Sequence, residues 1–217
     1  PKSNEPNYDR QLKWIIGVIV AIFLIIAIAV LIRNSNTGFK YGGLKFEQIK
    51  YGEIDLYSTN VPMYDGAGKR VKDLTVDFRL DPRELQDMRV LLGMDNEIKI
   101  NTDELVYVSV DPRMEKCEDS GISVINLGGL FLKKAGVNTK ISSRNESHAE
   151  KEAVPYVTCE THPNNTVIMF QPTKETGIYE LDVNCYQFRY EDCEVLEVTE
   201  RFQMLILEQY MKNLNGN

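Results

Sequence analysis

The chain has 217 residues, a formal net charge of −7, 43% hydrophobic residues and 26% charged residues. A balance this acidic, without a cluster of lysine and arginine, excludes nucleic acid and anionic lipid headgroups as partners of the polar part of the chain. The length allows one domain of ordinary size. The four cysteines, an even number, are typical of a domain that folds in an oxidising compartment.

The first element is an apolar run from Trp14 to Ile32 without a charged residue. As a helix it would be about 28 Å long, close to the ~30 Å hydrocarbon thickness of a bilayer. A cleaved signal peptide has a shorter apolar region, and a buried helix of a globular core carries polar residues on one face. Trp14 at one end and Arg33 at the other are typical of membrane interfaces. The run therefore predicts an uncleaved signal anchor with a single transmembrane helix.

The charges that flank this helix do not orient it, because three basic residues lie close to each end. The cysteines, which all follow the helix, favour an N-terminus inside and a C-terminal domain outside the cytoplasm. Within the helix, Gly17 and Ala21 suit either a lipid-facing anchor or the close packing of two helices. The predicted organisation is a polar tail at 1–13, a transmembrane helix at 14–32, a linker at 33–43 and an extracytoplasmic domain at 44–217.

The tripeptide Asp-Pro-Arg occurs twice after predicted strands, as Asp81-Pro82-Arg83 and, 30 residues later, as Asp111-Pro112-Arg113. We call these the first and the second DPR motif. Glu84 follows the first motif, so Asp81 is predicted to cap a new helix. Met114 follows the second motif and predicts a loop instead. A functional interpretation places Arg83 and Arg113 at the carboxyl ends of neighbouring strands, where open α/β sheets bind ligands.

The middle of the domain predicts a strand–helix–strand unit with parallel strands. Its strands are predicted at 105–110 and 154–159, and its helix at 120–135, with Gly136 as the stop. Gly128 and the glycine after it allow the helix to approach the sheet closely. The polar stretch 140–152 lacks periodicity and predicts a surface loop.

Short alternating or apolar segments predict the other strands, at 44–50, 53–58, 73–80, 166–170, 177–182 and 184–190, with a loop through Pro62 after the second of them. An amphipathic pattern predicts a helix at 194–212, with Phe202 in its buried stripe and Glu200 and Arg201 on the opposite, exposed face. The fold class is an N-terminal transmembrane helix plus a mixed α/β domain. That domain has one mixed sheet, a βαβ unit, antiparallel ribbons at both ends of the sheet and a C-terminal amphipathic helix.

The four cysteines allow three disulfide pairings. The βαβ unit favours Cys117 with Cys159 and Cys185 with Cys193, and each bridge would stabilise the domain by about 2–4 kcal/mol. The alternative is a Cys₃His zinc site, because Cys159 and His162 have Cys-x-x-His spacing. The sequence has no second closely spaced ligand pair, so we assign no metal and no cofactor.

Motifs of catalysis are scarce in the sequence, which contains no Gly-x-Ser-x-Gly, phosphate-binding loop or His-Glu-x-x-His. Of the two histidines, His148 falls in the polar stretch and His162 precedes Pro163 at a turn. We therefore assign no catalytic residue. The candidate ligand site comprises Arg83, Arg113 and His162 at the carboxyl edge of the sheet.

The anchor, Tyr41–Phe46, Phe78–Arg83, Asn184–Tyr186 and Glu200–Phe202 together resemble uncharacterised single-pass, membrane-anchored surface proteins of small-genome archaea. The resemblance covers most of the chain. It implies a cell-surface setting and no particular site.

The function that these observations favour is a membrane-anchored surface protein that acts as a binding module or assembles with other copies into an envelope or filament. Two alternatives remain open, an accessory subunit of a larger membrane complex and a membrane-tethered enzyme with its site at the carboxyl edge of the sheet. The expected partners are the membrane, through 14–32, and other proteins or further copies of the chain.

Overall fold

The computed structural model describes residues 8–35 and 38–216 and divides the chain into two units, 1–39 and 40–217. Helix α1, Tyr8–Ser35, covers the predicted transmembrane segment and begins six residues before it. Its side chains are described for 12–28, and the apolar ones among them are exposed. Positions 1–7 of the predicted tail and 36–37 of the predicted linker lie outside the described residues. Among residues 8–35 and 38–216, no helix is both long enough and apolar enough to cross a membrane.

The first sheet has four strands in the order β1-β2-β3-β4, and β2–β3 and β3–β4 are antiparallel hairpins. The strands are β1 Gly38–Tyr41, β2 Leu44–Tyr51, β3 Ile54–Tyr64 and β4 Arg70–Phe78. The predicted loop through Pro62 is wrong, because β3 continues through this proline to Tyr64. The antiparallel ribbon predicted at one end of a single sheet is thus a separate sheet.

The second sheet has six strands in the order β5-β9-β10-β8-β6-β7, of which β7, β6, β8 and β10 are mutually parallel. Strand β9 runs antiparallel to β10 and parallel to β5. The strands are β5 Arg89–Leu91, β6 Val106–Val110, β7 Thr139–Ser143, β8 Val167–Pro172, β9 Gly177–Asp182 and β10 Cys185–Tyr190. The prediction of a mixed α/β domain with a mixed sheet is therefore confirmed.

The helical crossover from β6 to β7 begins as α2, Ser120–Val124, and continues as a π-helix, Ile125–Leu132. The π-helix lies against the sheet at Gly128, where a Cβ would stand 3.4 Å from Val108 of β6, an ordinary van der Waals contact. Gly136, with a φ of +93°, ends the helical segment as predicted. The βαβ unit is confirmed, but its second strand is β7 and not 154–159.

The predicted surface loop at 140–152 contains most of β7 and helix α3, Glu146–Glu152. The segment 154–159 makes one isolated bridge, between Tyr156 and Ser143 at the end of β7. Helix formation depends here on Asn145, whose side chain accepts the backbone N–H of His148 over 2.9 Å. The charged residues from Glu146 to Glu152 therefore lie on a short capped helix.

The C-terminal helix α4, Val195–Leu214, packs Phe202 against the aromatic rings of Tyr186 and Phe188 on β10. The buried position of Phe202 agrees with the predicted stripe, but Glu200 and Arg201 are buried as well, contrary to the prediction. The carboxylate of Glu200 accepts the backbone N–H groups of Arg79 and Leu80 over 2.8 and 2.9 Å. Burial raises the pKa of Glu200 to about 7. This carboxylate ties the end of β4 to the helix.

Candidate functional site

All four cysteines are disulfide-bonded, but the predicted pairing is wrong. Cys117 pairs with Cys193 and Cys159 with Cys185, at Cα–Cα distances of 5.3 and 5.8 Å. The first bridge lies beyond the carboxyl ends of β6 and β10, and the second joins the first residue of β10 to the segment before β8. The prediction failed because it placed Cys159 at the end of a strand that does not form. The Cys₃His zinc alternative is excluded as well, since its sulfurs are in disulfides.

Each DPR motif forms a closed ion pair between its own aspartate and arginine. Arg83 Nε lies 2.9 Å from Asp81 Oδ1, and Arg113 Nε lies 2.9 Å from Asp111 Oδ1. Each aspartate also accepts the backbone N–H of its arginine over 3.0 Å. At the first motif the Arg83 hydrogen bonds lower the pKa of Asp81. At the second, burial raises the pKa of Asp111, but the bonds from Arg113 outweigh it, so the pKa is lowered overall.

A helix was predicted after the first motif and a loop after the second, and the structure shows the reverse. The second motif begins a 3₁₀-helix, Pro112–Lys116, with Asp111 as its N-cap, where a loop was predicted. The first motif leads into turns over 82–87, where a helix was predicted. The cap is thus a property of the Asp-Pro-Arg sequence itself, whereas Glu84 does not decide whether a helix follows.

The three predicted ligand residues lie at separate places. Arg83 follows β4 of the antiparallel sheet, and Arg113 follows the carboxyl end of β6 in the mixed sheet. The ring of His162 contacts the ring of Tyr107 near the amino end of β6, with centroids 4.9 Å apart. His162 therefore lies at the opposite edge of the mixed sheet from Arg113, and only Arg113 is at the predicted carboxyl edge.

The carboxyl edge is also the point at which the sheet topology diverges. The chain leaves β6 toward β7 on one side and leaves β8 toward β9 and β10 on the other. Crevices of this kind, between parallel strands with diverging connections, are where open α/β sheets bind ligands. The residues that follow these strands therefore form the first candidate site.

Charged and polar groups gather at this edge around the buried carboxylate of Asp111. Arg144, which follows β7, places its Nε 4.0 Å from Asp111 Oδ2. The last residue of β10, Tyr190, is buried, and its hydroxyl has no hydrogen-bond partner among the described residues. Burial, followed by the negative charge of Asp111, raises the pKa of Tyr190 to about 12. The edge thus holds two arginines and a neutral phenol around one carboxylate.

Next to Asp111, a serine, a histidine and a glutamate form a hydrogen-bonded chain. His148 Nδ1 lies 3.0 Å from Ser143 Oγ, and His148 Nε2 lies 2.8 Å from Glu115 Oε1. The order resembles a catalytic triad, but Ser143 is fully buried and its hydroxyl also bonds both backbone groups of Asn145. A nucleophile must reach its substrate, so this arrangement does not favour covalent catalysis.

The same histidine belongs to a group of residues that could hold a metal. Ligand atoms of Glu115, His148 and Glu152 all lie within 4.8 Å of one another. A cavity of about 280 Å³ opens beside them, with Asp111 and His148 in its wall and mostly apolar side chains elsewhere.

A second, larger concavity lies between the antiparallel sheet and the helical crossover. We call it the crossover groove. Its volume is about 360 Å³, and it is lined mainly by apolar side chains, among them Tyr51, Ile54, Leu56, Ile122, Leu130 and Phe131. Arg79, Asp77 and Lys134 supply polar groups in its wall. The groove uses the π-helix, a rare conformation that is frequent at functional sites.

Neither the cluster around His148 nor the crossover groove was predicted from the sequence. The signal for His148 was Asn145, a good N-cap residue three positions before it, which would have converted the predicted loop into a helix. Glu115 lies next to His148 because the 3₁₀-helix after the second DPR motif places it there. The groove depends on the π-helix and on two separate sheets, for which no local pattern exists.

No protein-family model, curated protein or solved structure matches the chain.

Proposed function

We propose that this chain is a membrane-anchored surface protein whose disulfide-bonded domain binds a partner protein through the crossover groove. The observation that carries the proposal is the apolar, open wall of the groove on a domain with an acidic net charge. Large exposed apolar patches with polar rims are typical of interaction sites.

The exposed apolar surface continues from the groove along the β2–β3 hairpin. Ile49 pairs with Leu56 and Tyr51 with Ile54 across the two strands, so these four side chains share one face. Tyr51 is 78% exposed, and Leu130 on the opposite wall is 44% exposed. The patch therefore extends beyond a pocket for a small ligand and suits the apolar surface of another protein.

Two features of the chain support a location on the cell surface. As a helix, the uncharged run at 14–32 is close in length to the thickness of the hydrocarbon core of a bilayer. The structure describes the side chains of this run only as far as position 28. Both disulfides join segments distant in sequence, which is typical of domains that fold outside the cytoplasm. The resemblance to anchored archaeal surface proteins favours the same setting. The N-terminus then lies inside and the domain outside.

Site-specific photo-crosslinking tests the groove. A photoreactive phenylalanine analogue at position 51 should give a defined adduct in native membranes. The same analogue at position 64, where Tyr64 is also exposed but lies outside the groove wall, should not. Leu130→Glu should abolish the adduct, whereas Leu181→Glu, at an exposed leucine of β9, should leave it unchanged. Equal crosslinking at 51 and 64, or none at 51, would refute the proposal.

The mass of the adduct separates the forms that the function can take. An adduct of two copies of this chain indicates self-assembly into an envelope or filament. An adduct with a different membrane protein indicates an accessory subunit.

Cysteine alkylation tests whether the domain lies outside the cytoplasm. The denatured, non-reduced protein from native membranes should take up no alkylating reagent, and the reduced protein should take up four equivalents, one for each cysteine. Four reactive cysteines before reduction would contradict the placement of the domain outside the cytoplasm.

A further inference from the structure

The residues Glu115, His148 and Glu152 form a compact set of ligand atoms outside the crossover groove. Glu115 comes from the 3₁₀-helix after β6, and the other two come from α3. His148 and Glu152 are four residues apart on this helix, so both side chains lie on the same face. Three oxygen and nitrogen ligand atoms within 4.8 Å of one another can surround a single ion.

The hydrogen bonds around Ser143 favour the tautomer of His148 that carries its proton on Nδ1. The hydroxyl of Ser143 donates its one proton to Asn145 O and accepts the backbone N–H of Asn145. Its remaining lone pair can accept the Nδ1–H of His148, at 3.0 Å. In this tautomer Nε2, which lies 2.8 Å from Glu115 Oε1, directs its lone pair toward the carboxylate. Nε2 and the Glu115 carboxylate are then two neighbouring acceptors that one cation can bind.

A metal ion bound to these two acceptors would also be within reach of the third residue. A proton on Nε2 would satisfy Glu115 alone, whereas an ion would bind Glu152 as well. The carboxylate of Glu152 contacts Lys151 Nζ over 2.8 Å, but both groups are substantially exposed. Exposed ion pairs of this kind contribute little, so an ion can displace the lysine. The hydrogen bond from Nδ1 to Ser143 is the orienting partner that metal-binding histidines usually have.

We infer that Glu115, His148 and Glu152 bind a divalent transition-metal ion of the Zn²⁺ type. The imidazole favours zinc and its neighbours in the first transition row over Ca²⁺ and Mg²⁺, which prefer all-oxygen ligands. Three protein ligands leave the fourth tetrahedral position open, and the 280 Å³ cavity beside His148 has room for water or another ligand there. This site is separate from the crossover groove, and either can fail without the other.

The experiment is calorimetric titration of the full chain in detergent with Zn²⁺ alone, with Ca²⁺ as a comparison. We expect one Zn²⁺ site with micromolar or tighter affinity and at least tenfold weaker binding of Ca²⁺. His148→Ala should abolish binding, and His162→Ala, at the opposite edge of the sheet, should leave it unchanged. The exposed Glu152→Gln, which should not disturb folding, should weaken binding at least tenfold. Unchanged Zn²⁺ affinity in His148→Ala or in Glu152→Gln, or no binding by the natural sequence, would overturn the inference.

Co²⁺ provides a spectroscopic check on the geometry. A tetrahedral site with one imidazole and two carboxylates should give visible absorption bands that Zn²⁺ displaces and that Glu115→Gln weakens. An octahedral Co²⁺ spectrum without change in Glu115→Gln would contradict the assigned ligands.

Discussion

The two DPR motifs have the same sequence and nearly the same local geometry, but only the second one is part of a candidate site. In both, the arginine Nε lies 2.9 Å from an aspartate oxygen. In both, a tyrosine is close enough for the aspartate charge to raise its pKa, Tyr57 at the first and Tyr190 at the second, although burial has the larger effect on each. The ion pair is therefore set by the tripeptide, and the site is set by what surrounds it.

The surroundings of the second motif come from distant parts of the chain. Arg144 arrives from β7, Tyr190 from β10, and the 3₁₀-helix that the motif begins carries Glu115 to His148. The first motif instead follows a backbone segment held by Glu200. The difference shows that a repeated motif indicates a repeated cap and not a repeated function.

The largest effect should come from the disulfide that follows the second motif. Replacing Cys117 and Cys193 with serine opens a bridge with a sequence separation of 76 residues, whereas the Cys159–Cys185 bridge spans 26. The chain-entropy relation gives losses of about 4.5 and about 3.5 kcal/mol in the free energy of unfolding. Urea denaturation of the two double variants measures both. A larger loss for Cys159–Cys185 would show that the carboxyl edge is not held together by its bridge.

The buried carboxylate beside the first motif should give the molecule a pH-dependent stability. The folded pKa of Glu200, about 7, lies above the 4.5 of an unburied glutamate, so the folded state binds a proton more tightly than the unfolded state. The stabilisation is complete below pH 4.5 and is lost as the pH rises through about 7. Its size is on the order of 3 kcal/mol. Glu200→Gln should flatten this part of the unfolding free energy measured against pH, and the exposed Glu53→Gln should not. An unchanged slope in Glu200→Gln would contradict the prediction.

Removing the charge of each motif compares the two directly. Asp111→Asn should cost about 2 kcal/mol and Asp81→Asn about 1 kcal/mol, because Asp111 loses the attraction of Arg144 as well as that of its own arginine. Both aspartates have lowered pKa values, so their stabilisation is present above pH 3.8 and is lost as the pH falls below it. The difference in the free energy of unfolding between each variant and the natural sequence should therefore become smaller in acid. Equal losses at pH 7 would show that Arg144 adds nothing to the second motif.

Much of the fold could be predicted from the sequence because its elements have strong local patterns. The strand at 177–182 was predicted with the bounds of β9, and the amphipathic helix at 194–212 lies within two residues of α4 at each end. The prediction of Glu200 as exposed failed because a buried carboxylate that binds two backbone amides has no counterpart in a hydrophobic pattern.

The candidate site could be predicted only in part. The carboxyl edge and Arg113 followed from the βαβ pattern, but His162, which was predicted at this edge, lies against Tyr107 at the amino end of β6. His148 lies near Asp111 instead. The reason lies in β7, whose residues Thr139–Ser143 carry too little apolar periodicity to indicate a strand. Because that strand was missed, the second strand of the βαβ unit was predicted at 154–159. The disulfide pairing and the position of His162 were then inferred from this strand.

The smallest effect should come from the hydroxyl of Tyr190. It is buried beside the second motif without a hydrogen-bond partner among the described residues, so its removal in Tyr190→Phe leaves nothing unpaired. We expect a change of less than about 1 kcal/mol, in the stabilising direction. The matched control is Tyr186→Phe. That hydroxyl donates to Lys99 O over 2.9 Å and accepts from Lys99 N over 2.6 Å, so its loss should destabilise the domain. A clear loss of stability in Tyr190→Phe would mean that the phenol supports Asp111 and Arg144, and that the second motif is held by more than its charges.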